Sequence, residues 1–296
     1  MDAPVLVDIV QVGNTLGESV VWDDAQEAVW WTDIEERYLY RYRLGPQKVE
    51  SFNTPERLCA FGLTREKDRL ICAFESGFAF MDVKKRAVHW VARPLQGRSG
   101  IRFNDGRVDR QGRFWCGTTT EEAAAGLGAL YCLDSSLAVS VRVRGIHTTN
   151  ALCWSPDSAS LYLADSTKRT VRVYAFDRDR GRLSAKRTFA ATAEGVYPDG
   201  ADVDTSGCLW NAQWGGGRIV RYTSGGKVDR ELIVPTRQPT SVCFGGRELD
   251  TLFVTSARKG LSPRELTASA HAGDLFVYRT GIRGIAAPRF CGELVQ

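Results

Sequence analysis

The sequence has little that would point to a membrane or to nucleic acid. The net charge is only +4, from 39 basic and 35 acidic residues, and no basic cluster is interleaved with aromatic residues. A nucleic-acid-binding surface is therefore not indicated. No apolar run approaches the roughly 18 residues that cross a bilayer, and the first residues carry no apolar leader. We expect a cytoplasmic protein with neither a membrane nor a nucleic-acid partner.

The chain also lacks the short motifs of several enzyme classes. It has no G-x-S-x-G elbow and no H-E-x-x-H pair among its three histidines, which disfavours serine hydrolases and zinc proteases of those types. The eight cysteines contain no C-x-x-C pair, so we interpret them as small buried residues in a reducing compartment. The glycine run at residues 215–217 lacks the Lys-Ser/Thr of a phosphate loop and predicts a tight connection between strands.

What the sequence does contain is an internal repeat of β-strands. No stretch shows a helical apolar period over three turns, and the nearest one, residues 121–127, predicts a loop with at most one helical turn. Six segments instead share a polar turn, an aromatic-rich strand, and a second strand that ends near tyrosine or phenylalanine. Their best-marked strands begin at Val29, Leu70, Phe114, Leu161, Leu209 and Thr251.

The repeat spacing predicts the fold. A period of about 40 to 50 residues is the length of one four-stranded propeller blade. Six repeats therefore predict an all-β protein, a six-bladed β-propeller in a single domain over residues 1–296, although length alone suggests about two domains. Because an open ring would leave two unpaired strand edges, we expect a last strand near residues 289–292 to pair with the N-terminal strands.

Polar residues recur at one position, shortly before the leading strand of a repeat. They are Glu18, Asn104, Asn150 and Asp199. In a propeller these positions crowd one end of the central channel, and carboxylate and amide oxygens are hard ligands for Ca²⁺, Mg²⁺ or Mn²⁺ that also hold Zn²⁺ or Fe²⁺. We hypothesise that Glu18, Asn150 and Asp199 bind one divalent metal ion. The alternative is that these residues cap turns and bind no metal.

Four ordered motifs carry a resemblance to a known family. They are Leu16-Gly17-Glu18 with Val21-Trp22, Arg102-Phe103-Asn104-Asp105-Gly106, Asn150 before Trp154-Ser155-Pro156-Asp157, and Tyr197-Pro198-Asp199-Gly200. With these motifs the chain resembles the SMP-30/gluconolactonase/regucalcin family of six-bladed propellers. It is similar in particular to the bacterial sugar-acid lactonases, such as xylonolactonase and arabinonolactonase, and residues 255–262 and 273–276 also look like that branch.

The resemblance implies roles for individual residues. Glu18, Asn150 and Asp199 match the three metal ligands of the family, Arg102 and Asn104 match residues that contact the sugar lactone, and Glu121 falls where a substrate-contacting glutamate stands. Two departures bear on these roles. The segment Gly117-Thr118-Thr119-Thr120-Glu121-Glu122 has threonine where the family has methionine, which affects the role of Glu121. Ser19-Val20 stands beside Glu18 where Gly-Pro is usual.

The expected function is that of a metal-dependent sugar lactonase. The ion would act as a Lewis acid, and Asp199 would take a proton from the attacking water while an aldono-1,4- or 1,5-lactone opens to the acid. His147 and Trp214 are further candidates for contact with the site. The alternatives are a non-catalytic calcium-binding regulator, a metal-dependent aryl or phosphotriester esterase, and a docking platform. A monomer or weak homo-oligomer is expected.

Overall fold

The chain folds into six four-stranded antiparallel sheets arranged in a ring. A computed structural model describes residues 3–122 and 127–294, and within these ranges it has 24 strands and one α-helix. The first strand of each sheet contacts the first strands of both neighbouring sheets, so six innermost strands surround a central channel. The predicted six-bladed β-propeller is confirmed.

The strands of the first three blades follow one another along the chain. After β1 (Val5–Val10), blade 1 contains β2 (Gly17–Asp23), β3 (Ala28–Asp33), β4 (Tyr38–Arg43) and β5 (Lys48–Asn53). Blade 2 contains β6 (Leu58–Leu63), β7 (Arg69–Phe74), β8 (Phe78–Asp82) and β9 (Ala87–Ala92). Blade 3 contains β10 (Ile101–Val108), β11 (Phe114–Thr120), β12 (Gly128–Leu133) and β13 (Val139–Ile146).

Blades 4 and 5 repeat this order, and blade 6 departs from it. Blade 4 contains β14 (Thr149–Trp154), β15 (Ser160–Asp165), β16 (Thr170–Asp177) and β17 (Arg182–Ala191). Blade 5 contains β18 (Tyr197–Val203), β19 (Leu209–Trp214), β20 (Arg218–Tyr222) and β21 (Val228–Ile233). Blade 6 contains β22 (Pro239–Gly245), β23 (Thr251–Ser256), β24 (Leu275–Arg279) and, as its outermost strand, β1.

The expected way of closing the ring is wrong. The N-terminal strand β1 pairs antiparallel with β24, with Val10 opposite Leu275 and Val5 opposite Arg279. Up to residue 294, where the description of the chain ends, the last segment forms no strand with β1, and Phe290 makes a single bridge to Thr64 of blade 2. Closure of the sixth sheet needs a partner for the outer edge of β24, and the apolar strand β1 supplies it.

How deeply the residues of a strand are buried depends on the position of that strand in its blade. Every residue of the second strand β3 is buried, because that strand has a blade on each side. In the outermost strand β5, by contrast, all six residues are exposed or half-buried. Large aromatic side chains fill the space between blades, as where Trp22 of blade 1 stacks on Phe253 of blade 6 with ring centroids 5.6 Å apart.

One helix was not expected from the sequence. It is α1 (Pro263–Ala268), and Ser262 and Glu265 form a capping box at its N-terminus. Of the expected turn at residues 121–127, residues 123–126 lie outside the described part of the chain. No helix within residues 3–122 and 127–294 is long and apolar enough to cross a membrane.

Candidate metal and substrate site

The predicted ligands lie within the innermost strands rather than before them. The pairing of each innermost strand with its neighbour shifts register next to the candidate residue, between Glu18 and Val21 in β2 and between Asn150 and Cys153 in β14. In β18 the shift follows Pro198, directly before Asp199. Such bulges re-aim side chains, and here they occur at the same end of three strands. The sequence pattern located the residues but not the bulges.

Two of these bulges place a non-glycine residue in the left-handed region. Ser19 and Ala151, each directly after a candidate ligand, both have φ of 53°. That conformation costs less for glycine than for other residues, which explains why glycine is usual at the position of Ser19. The serine gains a compensating contact, because its Oγ accepts a hydrogen bond from Phe61 N of blade 2 at 3.3 Å.

Glu18 and Asp199 form a buried pair of like charges. Their carboxyl groups lie within hydrogen-bonding reach of each other, although the residues belong to blades 1 and 5. Burial and the nearby charge of Asp105 raise the pKa of Glu18 to about 8. Burial and the charge of Glu18 hold the pKa of Asp199 well above its usual range. Two carboxylates in such a place are stable when they share a proton or bind a cation.

The amide of Asn150 is held in one orientation. Its Nδ2 donates to Ser166 Oγ at 2.9 Å, and Ser166 Oγ donates its own proton to Pro198 O at 2.7 Å. Because the single hydroxyl proton is used there, Ser166 presents a lone pair to Nδ2. The Oδ1 of Asn150 accepts from Asn104 Nδ2 at 3.2 Å. Ser166, which sequence reasoning missed, therefore connects the candidate ligand of blade 4 to the ligand strand of blade 5.

Asn104 is bound mainly by protein groups. Its Nδ2 donates to Thr149 O at 2.9 Å as well as to Asn150, and its Oδ1 accepts from Arg102 Nη1 at 2.9 Å. Both amide protons are thus used, and only an Oδ1 lone pair is left for a ligand. This geometry makes Asn104 a support for Asn150 in addition to its expected role as a substrate contact.

Arg102 and Glu121 form an ion pair at the edge of the site. Arg102 Nε donates to Glu121 Oε1 at 2.9 Å, and Arg57 binds both oxygens of Glu121 at 3.0 Å. Burial alone would raise the pKa of Glu121, but the hydrogen bonds from Arg57 and the charge of Arg102 outweigh it and lower that pKa to about 2. Glu121 is therefore ionised and fixed by two arginines. Sequence reasoning did not identify Arg57.

Most of these residues line one cleft at the end of the channel, but Glu121 and Arg57 are not in its lining and reach it only through Arg102 and through each other. The cleft has a volume of about 250 Å³. Its lining includes the predicted residues Glu18, Arg102, Asn104, Asn150 and Asp199, and in addition Leu16, Thr119, Thr148, Ser166, Tyr197, Pro198, Trp214 and Lys259. Trp214 thus lies at the site, whereas His147 is a neighbour of the lining residue Thr148 and is not itself in the lining. Thr119 stands at the methionine position and its hydroxyl lies 3.0 Å from that of Thr148.

The donor set fits a divalent cation. Apart from the Glu18 carboxyl group, no described residue offers a hydrogen bond to Asp199 Oδ1, although this atom is buried. Two carboxylates and the fixed amide oxygen of Asn150 supply hard oxygen ligands with a charge of −2. Within the described ranges no three His, Cys, Asp or Glu side chains come together in a way that could hold a metal. A cation here would therefore depend on the amide as its third protein ligand.

Comparison with known proteins identifies relatives along nearly the whole chain. Residues 16–258 match the family described as SMP-30/Gluconolactonase/LRE-like region. The chain is 36% identical to 6-deoxy-6-sulfogluconolactonase of Pseudomonas putida, over 96% of this chain and 98% of that protein. It is 37% identical to L-arabinolactonase of Azospirillum brasilense, over 94% of this chain and 93% of that protein.

A solved structure shares the fold closely. The calcium-binding protein regucalcin from Agrobacterium tumefaciens has a TM-score of 0.91 and 27% identity to this chain, and the match covers 96% of this chain and 97% of that one. The two curated bacterial relatives are lactonases, and this chain is an enzyme of that class, a hydrolase that acts on carboxylic ester bonds. The family suggested by the sequence motifs is confirmed: the chain belongs to the SMP-30/gluconolactonase/LRE-like family.

Proposed function

We propose that this protein is a metal-dependent sugar lactonase that hydrolyses an aldono-1,4- or 1,5-lactone to the aldonic acid. The observation that carries the proposal is the meeting of Glu18, Asn150 and Asp199, from three different blades, beside a buried arginine in one open cleft. The names of the two lactonase relatives support a sugar lactone as the substrate class. Glu18, Asn150 and Asp199 would hold one divalent ion, which could be Ca²⁺, Zn²⁺, Mg²⁺, Mn²⁺ or Fe²⁺.

Asp199 is the residue we assign to proton transfer. Held by Glu18, Asn150 and Asp199, a divalent ion would supply Lewis-acid polarisation of the lactone carbonyl. The free acceptor atom of Asp199 is Oδ1, which is buried and accepts no hydrogen bond from described residues other than the neighbouring carboxyl group. This atom takes a proton from the attacking water and returns it to the ring oxygen as the ester bond breaks. A neighbouring cation would keep Asp199 ionised for this role.

The sugar is held by the polar and aromatic walls of the cleft. Arg102, with Glu121 fixing its direction, donates to substrate hydroxyl groups, and the paired hydroxyls of Thr119 and Thr148 add further partners. Trp214 supplies an apolar face for the C–H side of the ring. This mixture favours a sugar over the apolar substrates of an aryl or phosphotriester esterase.

The test compares substrates, metals and one conservative variant. Proton release is followed for a panel of aldonolactones with metal-stripped protein and with each divalent ion added in turn. Asp199→Asn keeps a ligand oxygen but has no base, so we expect it to bind the ion and to lose most of kcat. If Asp199→Asn at saturating metal turns over at a near-normal rate, the assignment of the base is wrong. Tight Ca²⁺ binding without turnover of any lactone would instead favour the calcium-binding regulator.

The cellular setting and assembly state are proposed with the function. All eight cysteines are free and seven of them are buried, which supports their interpretation as core residues in a reducing compartment. We infer a cytoplasmic monomer or weak homo-oligomer. Fractionation of cells together with light scattering of the purified protein tests both statements.

A further inference from the structure

A second group of charges surrounds the mouth of the cleft, and Glu35 is at its centre. Glu35 lies in the turn between β3 and β4, and its Oε1 is 2.5 Å from Lys259 Nζ. Its other oxygen, Oε2, is 3.7 Å from Arg57 Nη1. The carboxylate of Glu35 therefore partly neutralises the charges of two cations from different blades. Lys259 is itself part of the cleft lining, on the same surface as Glu18 and Asp199.

The two arginines of this group are also paired with carboxylates. Arg57 binds Glu75 at 2.5 Å and both oxygens of Glu121 at 3.0 Å, and Arg102 binds Glu121 at 2.9 Å. Lys259, Arg57 and Arg102 are thus paired with Glu35, Glu75 and Glu121, and one divalent ion would balance the −2 charge of ionised Glu18 and Asp199. A neutral ligand can enter this cleft without creating an unpaired charge, whereas an anionic ligand must compete with a carboxylate that is already in place.

Glu35 is the carboxylate whose removal would free a cation inside the cleft. The Lys259 side chain is 44% exposed, and its only ion-pair partner among the described residues is Glu35. Arg57, by contrast, would keep Glu75 and Glu121. A partly exposed pair of this kind stabilises the fold little, so the charge of Glu35 can be removed without loss of the propeller.

We propose that Glu35 is a specificity-determining residue that makes the cleft selective for neutral sugar lactones over lactones that carry an anionic substituent. The inference rests on the proposed lactonase function and concerns the same site. Glu35 acts by occupying Lys259, so the lysine ammonium is not offered to a sulfonate, carboxylate or phosphate on the substrate.

The experiment measures kcat/KM for two lactones with the same ring, one neutral and one with a sulfonate at its last carbon. For the wild type we expect the neutral lactone to be preferred. In Glu35→Gln the ratio of the two kcat/KM values should shift about tenfold toward the sulfonated lactone, mainly through KM, because Lys259 now attracts the anion. The shift should shrink at high ionic strength and should disappear in the double variant Glu35→Gln, Lys259→Gln.

The matched control is Glu36→Gln. Glu36 is the exposed neighbour of Glu35 and accepts a hydrogen bond from Thr15 Oγ1, but it pairs with no cation among the described residues. Its neutralisation changes the net charge by the same amount and should leave the substrate ratio unchanged. An equal shift in Glu36→Gln would show a general charge effect and overturn the role of Glu35.

The outcomes separate this inference from the proposed function. If the wild type prefers the sulfonated lactone, or if Glu35→Gln leaves the ratio unchanged, the inference is overturned and the lactonase function stands. If the wild type hydrolyses neither lactone nor any other member of the panel, the proposed function fails and this inference fails with it.

Discussion

The two ends of the central channel are built from the same innermost strands, but their charged side chains are paired differently. At the cleft end, Glu18 and Asp199 face each other as like charges. At the other end, Arg107 of β10 and Asp202 of β18 form an ion pair at 2.9 Å. The partners of that pair are also satisfied by the backbone, since Arg107 Nη2 donates to Val242 O at 3.2 Å and Asp202 Oδ2 accepts from Phe244 N at 3.0 Å.

The two ends also differ in what covers them. The end with the ion pair encloses only about 50 Å³, and residues 285–288 of the C-terminal segment form part of its wall. This segment is attached to the rim of the ring through Phe290 N, which donates to Leu63 O at 2.8 Å, and through Arg289, which binds Asp23 at 2.7 Å. The cleft at the other end is larger, about 250 Å³, and none of the described residues of the C-terminal segment is in its lining. Opposite charges that are paired in an enclosed space stabilise the fold. Like charges that face each other in an open cleft indicate a binding function.

The largest effect is expected from neutralising one of the like charges. Glu18→Gln removes a proposed ligand carboxylate, so the affinity for the divalent ion should fall by more than the roughly 100-fold seen when groups behind the ligands are lost. Calorimetric titration of metal-stripped protein measures this. Glu248→Gln, an exposed glutamate paired with Arg283, is the control and should bind the ion as the wild type does. Unchanged affinity in Glu18→Gln would contradict the ligand assignment.

A pH series examines the same pair without mutation. Because the pKa of Glu18 is raised to about 8, the ion must displace a proton at lower pH. Apparent metal affinity should rise between pH 6 and 8, by up to about tenfold per pH unit for each proton displaced, and one to two protons should be released per ion bound because the pKa of Asp199 is also raised. The metal-free protein should behave oppositely and lose stability as pH rises from about 4.5 toward 8, since the folded state holds a proton that the unfolded state releases. Thermal unfolding across this range checks the second trend.

At the other end, the expected effect is on stability. Asp202→Asn leaves Arg107 without its partner charge, so the free energy of unfolding should fall by about 2 kcal/mol, less than for a fully buried pair because both side chains are partly exposed. Denaturant unfolding measures the loss, and metal affinity should not change. Glu27→Gln breaks the exposed pair with Arg247 and should have no measurable effect. If Asp202→Asn abolished metal binding without loss of stability, the distinction between the two ends would be wrong.

The smallest effect is expected from Ser166, which orients the amide of Asn150, the proposed third ligand. Ser166→Ala leaves Asn150 Nδ2 without its acceptor, so the affinity for the ion should fall by about tenfold. Ser166→Thr keeps the hydroxyl and should lose less. Ser158→Ala removes another buried serine of blade 4, which accepts from Arg110 at 3.0 Å at the far end of the blade. Equal losses of affinity in Ser166→Ala and Ser158→Ala would show that Ser166 has no specific role.

The sequence predicted the strands that have an apolar pattern of their own. It missed the features that depend on contacts with distant parts of the chain. Second strands such as β15 were predicted because burial on both faces makes them continuous apolar runs. The outermost strands, such as β9, are half-exposed and carry no such signal. Closure by β1 was missed because any exposed strand edge could have accepted either terminus. The helix α1 was missed although Ser262 and Glu265 have the spacing of a capping box.

The candidate site shows the same division. Glu18, Asn150 and Asp199 could be predicted as site residues because each lies beside a recognisable turn sequence in its own repeat. Ser166 and Glu35 could not be chosen, since the roles proposed for them depend on contacts between blades, to Pro198 and to Lys259. Register shifts at the ligand positions also need the pairing partner to be known.

The central proposal is that lactone hydrolysis depends on one cation held by residues of blades 1, 4 and 5. Its most direct test is a titration of the metal-stripped enzyme with a divalent ion while the opening of an aldonolactone is followed by proton release. We expect no turnover in chelator, activity that rises to a plateau at one ion per chain, and no recovery in Glu18→Gln at the same ion concentration. Full turnover in the presence of chelator would contradict it.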